Sequence, residues 1–235
     1  IMLGWTVYIS FLSALGCFLM PAKRPDLSRR LALVGTLISA LIALVCAATY
    51  SPVDGNSVVD ITKWNWIPSL GISYYLAADG ISMVMVALTG IASVAAVLFS
   101  WNIEERANEF FGFFLTLIGG VYGVFISFDL FLLFVFYEIA IIPKYFLIAL
   151  WGSTRKSYAA MKLVLYSFVG SSMALIGIMA AFVVSGSVSF DLQQLILHPY
   201  APEFQRWAFP VTFIGFVILA GLWPFHTWAP TGHVA

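Results

Sequence analysis

Charged residues are scarce in this chain. Only 9% of its 235 residues are Asp, Glu, Lys or Arg, whereas 62% are hydrophobic, and an ordinary soluble domain has about 25% charged residues. This composition excludes an ordinary soluble domain, because such a fold would leave much of its apolar surface in water. Acidic and basic residues balance at 11 each, so no net field favours a nucleic acid or an acidic partner.

Cysteine is scarce as well. Cys17 and Cys46 fall inside apolar runs without metal-ligand spacing, which indicates two small buried side chains and not a disulfide or a metal site. No glycine-rich dinucleotide fingerprint follows a strand pattern, and iron–sulfur clusters require more cysteines. We therefore expect this chain alone to bind no metal, flavin, haem, iron–sulfur cluster or quinone.

Long apolar runs fill most of the sequence. A helix needs about 20 apolar residues to cross a bilayer, and continuous runs favour helices over the alternating strands of a barrel. The predicted fold is therefore all-α, a transmembrane helix bundle that forms a single domain over residues 1–235. Seven spans are predicted, at residues 3–20, 31–50, 75–99, 110–128, 130–151, 161–185 and 208–223.

The longest segments between the spans are residues 51–74 and 186–207. Both contain proline, glycine and tryptophan, and both are predicted as external loops, the second with a short amphipathic turn near Leu195. Residues 3–20 have no basic stretch before them and no small-residue cleavage pattern after them, so we predict a span and not a signal peptide. We expect more chain to follow the last apolar segment.

Basic residues are distributed unevenly between the two sides of the predicted bundle. If the spans alternate in direction, eight basic residues lie on one side, and only Lys63 and Arg206 lie on the other. The eight are Lys23, Arg24, Arg29, Arg30, Arg106, Arg155, Lys156 and Lys162. Because cytoplasmic loops carry the excess of Lys and Arg, we predict that the amino terminus lies outside. The expected location is a bacterial inner membrane.

Two ionisable side chains lie within the fifth span. Glu138 is about 12 Å along that helix and Lys144 is about 9 Å further. Charges at this depth normally face a bundle interior or a water-filled cavity, although a structural ion pair or a protonated carboxyl is an alternative and Lys144 could snorkel to the boundary. About 120° separates the two side chains around a straight helix, and Pro143 is expected to kink it.

Five further residues are weaker candidates for proton transfer. His226 and His233 follow the seventh span, and their imidazoles titrate near neutral pH; an interfacial histidine held by backbone hydrogen bonds is the alternative. Lys162, at the start of the sixth span, is either a membrane anchor or a pathway residue. Asp79 opens the third span and Asp129 stands between the fourth and fifth spans, and at both positions capping of a helix amino terminus is the favoured role.

Three long stretches of the sequence carry a resemblance to a known family. They read WIPSLGISYYLAADGISMVMVALTG, GGVYGVFISFDLFLLFVFYEIAIIPKYFLIALWG and PFHTWAPTGH. The chain resembles the N-terminal half of the M-type antiporter-like subunit of NADH:quinone oxidoreductase (complex I), the counterpart of mitochondrial subunit 4. The resemblance implies a fourteen-helix subunit without a redox cofactor, in which a buried Glu–Lys pair and a line of lysines and histidines move protons. Other membrane subunits of the same complex would be its partners, and the chain by itself is not expected to be catalytic.

The resemblance also assigns roles to individual residues. The buried glutamate of the family falls on Glu138, the lysine of its sixth helix on Lys162, and the histidine after the proline of its seventh helix on His226. Asp79 and Asp129 match carboxylates in the same motifs.

The sequence departs from the family pattern in the seventh helix. The family has a lysine five residues before the proline, where this chain has Leu219, while Lys144 occupies a place that is often apolar in the family. This suggests a relocated cation. Two alternatives remain: a subunit of a multisubunit Na⁺/H⁺ antiporter or membrane-bound hydrogenase, or a membrane anchor that moves no protons.

Overall fold

The computed structural model describes residues 2–22, 24–51 and 58–234, which are mostly helical. In chain order the elements are α1 (Gly4–Leu19), α2 (Pro25–Ala48), β1 (Val59–Ile67), a short 3₁₀ helix (Pro68–Leu70), β2 (Ile72–Ala78), α3 (Gly80–Phe99), α4 (Ala107–Ile126), α5 (Leu130–Trp151), α6 (Lys156–Ser185), α7 (Leu192–Leu197), α8 (Pro202–Ala220) and α9 (Trp228–Val234).

Within these described residues, five helices are long and apolar enough to cross a membrane. They are α2, α3, α4, α5 and α6. The first helix, α1, is apolar but has only 16 residues. The prediction of a mainly helical membrane protein is therefore confirmed, while the total of seven spans in this chain stays a prediction.

Several helices begin at other residues than the hydropathy pattern predicted. α2 begins at Pro25 and not at residue 31, since proline at the first helical position lacks only an N–H that would be unpaired there. α6 begins at Lys156 and not at residue 161. Hydropathy marks the apolar part of a helix, whereas the polar first turns of both helices are equally helical. The predicted amphipathic turn near Leu195 is present as α7.

A β-hairpin replaces most of the predicted loop at residues 51–74. Strands β1 and β2 pair in a two-stranded sheet, which the all-α prediction lacked, and β2 also takes the first residues of the predicted span 75–99. Both strands are rich in the β-branched and aromatic residues that favour strands, and the ring of Trp64 stacks on that of Tyr74 at 4.5 Å. Residues 52–57 of the predicted loop lie outside the described residues.

The chain divides into two compact units, of which the first comprises Ile1–Lys63 and Tyr75–Ser127. It contains α1 to α4, and α2 packs against the other three helices. Small residues allow these helices to approach closely, as is common in membranes: a Cβ atom on Gly90 would lie 2.9 Å from the Cα of Ala40. Cys17 and Cys46 are buried and unpaired, as predicted.

The second unit comprises Trp64–Tyr74 and Phe128–Ala235. Its central helix, α6, packs against α5, α8 and α9. The backbones of α6 and α8 are in contact through glycine, because a Cβ atom on Gly215 would lie 2.8 Å from the carbonyl oxygen of Gly170. At one end of α6, the rings of Phe182 and Phe190 stack at 4.0 Å and form a buried cluster with Ile72.

Gly71 allows the hairpin turn to join this second unit. Its φ of +70° lies in the left-handed region, a Cβ atom there would collide with the carbonyl group of Val188, and its own carbonyl accepts a hydrogen bond of 3.1 Å from the Phe190 N–H. Gly186 has a similar φ of +61° but open space around it. The two glycines therefore share a backbone conformation and differ in their surroundings.

We predict that Gly71→Ala destabilises the protein more than Gly186→Ala. Both substitutions place a Cβ atom in left-handed backbone, which costs about 1–2 kcal/mol, but only the first adds a steric collision, worth about 1–3 kcal/mol more. Thermal denaturation of the purified variants in detergent measures the difference. Equal decreases in melting temperature for the two variants would contradict the close approach of the Val188 carbonyl group to Gly71.

Candidate functional site

The fifth helix places one carboxyl group deep in an apolar segment. α5 runs without interruption from Leu130 to Trp151 and contains Pro143. Glu138 is its ninth residue, about 12 Å along the axis. Within the described part of the chain, Oε1 of Glu138 is buried and has no hydrogen-bond partner. A buried polar atom without a partner costs about 1–3 kcal/mol, so this oxygen calls for a functional explanation.

A groove of about 310 Å³ lies beside Glu138, between α5 and α6. Apart from the glutamate, the residues that line it are mainly apolar: Ile141, Ile142, Tyr145, Met161, Val164 and Phe168. The side chains of Ile142 and Phe168 are 58% and 66% exposed, so the groove lies on the surface of this unit. Glu138 therefore borders an apolar surface that offers its carboxyl few protein donors.

Lys144 lies on a different face of α5. It follows Tyr137 by seven residues and precedes Ile148 by four, so these three side chains form one stripe along the helix. Tyr137 lines a small cavity together with Leu219 of α8, and Ile148 borders Gly232 of α9. Lys144 therefore shares a face of α5 with Tyr137 and Ile148, and it does not line the groove of Glu138.

Lys162 reaches from α6 to α9. It lies in the second turn of α6 and not at the helix start. Its Nζ donates a hydrogen bond of 3.4 Å to Oγ1 of Thr231 and lies 5.8 Å from the ring centroid of Tyr158. Lys162 therefore contacts the short helix that follows Pro224, the segment in which the candidate histidines occur.

The two candidate histidines differ in what can be described. His226 is exposed, and its backbone carbonyl accepts a hydrogen bond of 3.0 Å from Ala229 N–H just before α9. His233 lies in α9, but its side chain falls outside the part of the structure that is described. The described residues contain no group of three or more His, Cys, Asp or Glu side chains that could hold a metal ion.

Both candidate aspartates cap helices. Asp79 accepts a hydrogen bond of 2.8 Å from Ser82 N–H at the start of α3. Asp129, which is fully buried, accepts hydrogen bonds from the N–H groups of Phe131 and Leu132 at 3.0 Å each and from Ser73 N–H at 2.9 Å. The capping role is therefore observed at both positions.

Asp129 also faces a second buried carboxyl group. It forms an isolated antiparallel bridge with Asp191, which caps α7 by accepting a hydrogen bond from Gln193 N–H. Burial raises the pKa of the Asp129 carboxyl above its ordinary range and the nearby Asp191 adds to this rise, while the three N–H donors oppose it. The pair joins the starts of α5 and α7.

Comparison with known proteins identifies the family. Residues 127–235 match the family described as NADH:quinone oxidoreductase/Mrp antiporter, transmembrane. The chain is 33% identical over 234 residues to NAD(P)H-quinone oxidoreductase chain 4 of Picosynechococcus sp., which covers 97% of this chain and 42% of the relative. It is 33% identical over 248 residues to NADH-quinone oxidoreductase subunit M of Pseudomonas aeruginosa, which covers 98% of this chain and 49% of the relative.

A solved structure agrees with these relatives. A chain of respiratory complex I from Thermus thermophilus matches with a TM-score of 0.88 and 27% identity, over 98% of this chain and 46% of that chain. The chain belongs to the family described as NADH:quinone oxidoreductase/Mrp antiporter, transmembrane. It spans about half the length of the curated relatives that it matches.

In this family member, Glu138 borders the groove between α5 and α6, which Lys144 does not line. Leu219 of α8 lines the small cavity together with Tyr137. The pairing of Glu138 with a lysine stays a prediction. Sequence reasoning missed Thr231 and Asp191. The spacing of an Asx residue before a short amphipathic turn was a usable signal for Asp191, whereas no local pattern indicates that Thr231 contacts Lys162.

We predict that Asp129→Ala destabilises the protein more than Asp79→Ala. The first removes the acceptor of three N–H groups and is expected to lower the free energy of unfolding by about 3 kcal/mol. The second removes one helix cap, worth about 1 kcal/mol. Denaturant unfolding in detergent micelles compares the two variants. A larger loss for Asp79→Ala would contradict the assigned hydrogen bonds.

Proposed function

We propose that this chain is part of a proton-translocating membrane subunit of a respiratory NADH:quinone oxidoreductase, with no redox centre of its own. The observation that carries the proposal is Glu138: a carboxyl group about 12 Å inside an apolar helix, with a buried oxygen that lacks a partner in the described residues. A carboxyl group in this position is a candidate proton carrier, because ionisable side chains inside membrane-spanning helices commonly mark ion and proton pathways. The relatives named as chain 4 and subunit M support this assignment.

Lys144, Lys162 and His226 are proposed as the other proton-carrying groups, with His233, Asp79 and Asp129 as secondary candidates. Lys162 has a polar contact across to α9, and Lys144 occurs in an apolar helix where an unneeded cation is unfavourable. We further propose seven spans in this chain within a fourteen-helix subunit, an external amino terminus, and neighbouring membrane subunits as partners. The excess of basic residues on one predicted side supports the orientation.

Three other functions are compatible with this family and fold. The family description includes Mrp antiporters, so a subunit of a multisubunit Na⁺/H⁺ antiporter is the main alternative, and a related membrane-bound hydrogenase is another. A proton-inert anchor is favoured by Leu219, which stands where the family has a lysine. The unpaired Glu138 oxygen argues against an inert anchor, since an apolar residue there would avoid the cost of burial.

We predict that Glu138→Gln abolishes most proton translocation while the complex still assembles. Glutamine has a similar shape but cannot take up or release a proton. The test uses the full-length protein in its complex, reconstituted in vesicles, with a pH-sensitive dye for translocation and NADH oxidation for electron transfer. Glu104→Gln is the matched control, because Glu104 is an exposed loop residue. Full translocation by Glu138→Gln at unchanged electron transfer would instead favour a purely structural role for Glu138.

We also predict that Lys144→Met impairs proton translocation, because the cation missing at position 219 is supplied from α5. In the double variant Lys144→Met/Leu219→Lys, the cation returns to the place that it has in the family, and translocation is expected to recover at least in part. The same vesicle assay applies. Unimpaired translocation by Lys144→Met would show that this lysine is not the replacement.

A further inference from the structure

Two polar contacts join α6 to α9 and to Thr227, the residue just before α9. Nζ of Lys162 donates to Oγ1 of Thr231 at 3.4 Å, and the hydroxyl groups of Tyr166 and Thr227 are 3.1 Å apart. In α6 the two partners are four residues apart, so they lie on one face of the helix. Thr227 and Thr231 are also four residues apart, and the Thr231 hydroxyl is bonded to the Thr227 carbonyl. We call these four residues the polar ladder. Its rungs run antiparallel, since the earlier residue of α6 meets the later residue of the α9 segment.

The hydrogen bonds fix the orientation of the Thr231 hydroxyl. Its proton is donated to the backbone carbonyl of Thr227 at 2.7 Å, which leaves the oxygen lone pairs free to accept. An ammonium group has three donors and no acceptor. The direction of hydrogen-bond donation is therefore determined: Lys162 donates to the Thr231 hydroxyl, and that hydroxyl donates to the Thr227 carbonyl.

The surroundings of the ladder restrain the position of α9. Gly232, the residue after Thr231, lies between the side chains of Ile148 of α5 and Leu163 of α6. The aromatic ring of Tyr158, at 5.8 Å from Nζ of Lys162, is near the outer limit of a cation–π interaction. Among the described residues, the hydroxyl of Thr231 is the hydrogen-bond acceptor that Lys162 meets.

We propose that Thr231 is a positioning residue for Lys162, whose hydroxyl holds the ammonium group against α9 in the geometry for proton exchange. The proposal rests on the proposed function, in which Lys162 carries protons. Tyr166 and Thr227 form a second rung of similar length that does not involve the lysine. The ladder thus contains its own control, because one rung positions a proton carrier and the other only joins the two helices.

The test compares variants of the full-length protein in its complex, reconstituted in vesicles. Thr231→Val keeps the side-chain shape but cannot accept a hydrogen bond, and it is expected to slow proton translocation about two- to tenfold, the range for the loss of one hydrogen bond. Thr231→Ser restores the hydroxyl and is expected to restore the rate. Tyr166→Phe removes the other rung and should retain the wild-type rate.

A double-mutant cycle shows whether Thr231 acts through the lysine. If it does, adding Thr231→Val to Lys162→Met causes no further loss of translocation. The proposal would be overturned if Thr231→Val lowered the translocation rate by its full factor in the Lys162→Met background, or if it had no effect in the wild-type background. It would also be overturned if Tyr166→Phe lowered the rate equally, or if Thr231→Ser did not restore it.

The same series separates this proposal from the proposed function. Normal translocation by Lys162→Met together with a loss in Glu138→Gln would overturn the positioning role alone. Normal translocation by Glu138→Gln would instead count against the proposed function.

Discussion

The absence of water from the hydrocarbon layer is the constraint on which this structure depends. Every N–H and C=O group in that layer must find a partner inside the protein, and the long helices satisfy most of them. The helix ends require additional acceptors. Asp129 meets this requirement at the start of α5 by accepting the N–H groups of Phe131 and Leu132, and Asp191 does so at α7. Against this background, the oxygen of Glu138 is a buried side-chain atom of α5 that has no partner in the described residues.

The sequence was sufficient to predict α5 and the depth of Glu138, because a long apolar run and the fixed rise of a helix require no tertiary information. It was not sufficient to predict the hairpin. Tryptophan and tyrosine at positions such as Trp64 and Tyr74 are typical both of a membrane interface and of a strand. Only the pairing of β1 with β2, which the sequence does not show, distinguishes these two environments. The contact of Lys162 with Thr231 spans 69 residues of sequence, and no local pattern predicts a contact of that range.

Helix geometry explains why the two ionisable residues of α5 do not act as a simple pair. Six positions rotate a straight helix by about 600°, which leaves Glu138 and Lys144 about 120° apart. The groove beside the glutamate and the stripe that contains Tyr137, Lys144 and Ile148 are accordingly separate surfaces. One helix therefore carries its acidic group and its basic group on two different faces. Coupling between them has to pass through a change in α5 itself, for which the missing hydrogen bond at Pro143 is the weakest point.

Leu219 makes its part of the second unit apolar. It lines a small cavity with Tyr137, Ser171 and other largely apolar side chains, and such a cavity is a poor site for water because a buried water needs several polar partners. A lysine at this position would bring water or a counter-ion with it, whereas leucine allows α6 and α8 to close through Gly170. The polar contacts of the second unit lie instead along the border of α6 and α9, where Lys162 and Thr231 meet. Among the described residues of this unit, the border of α6 with the α9 segment therefore offers water more polar partners than the cavity beside Leu219 does.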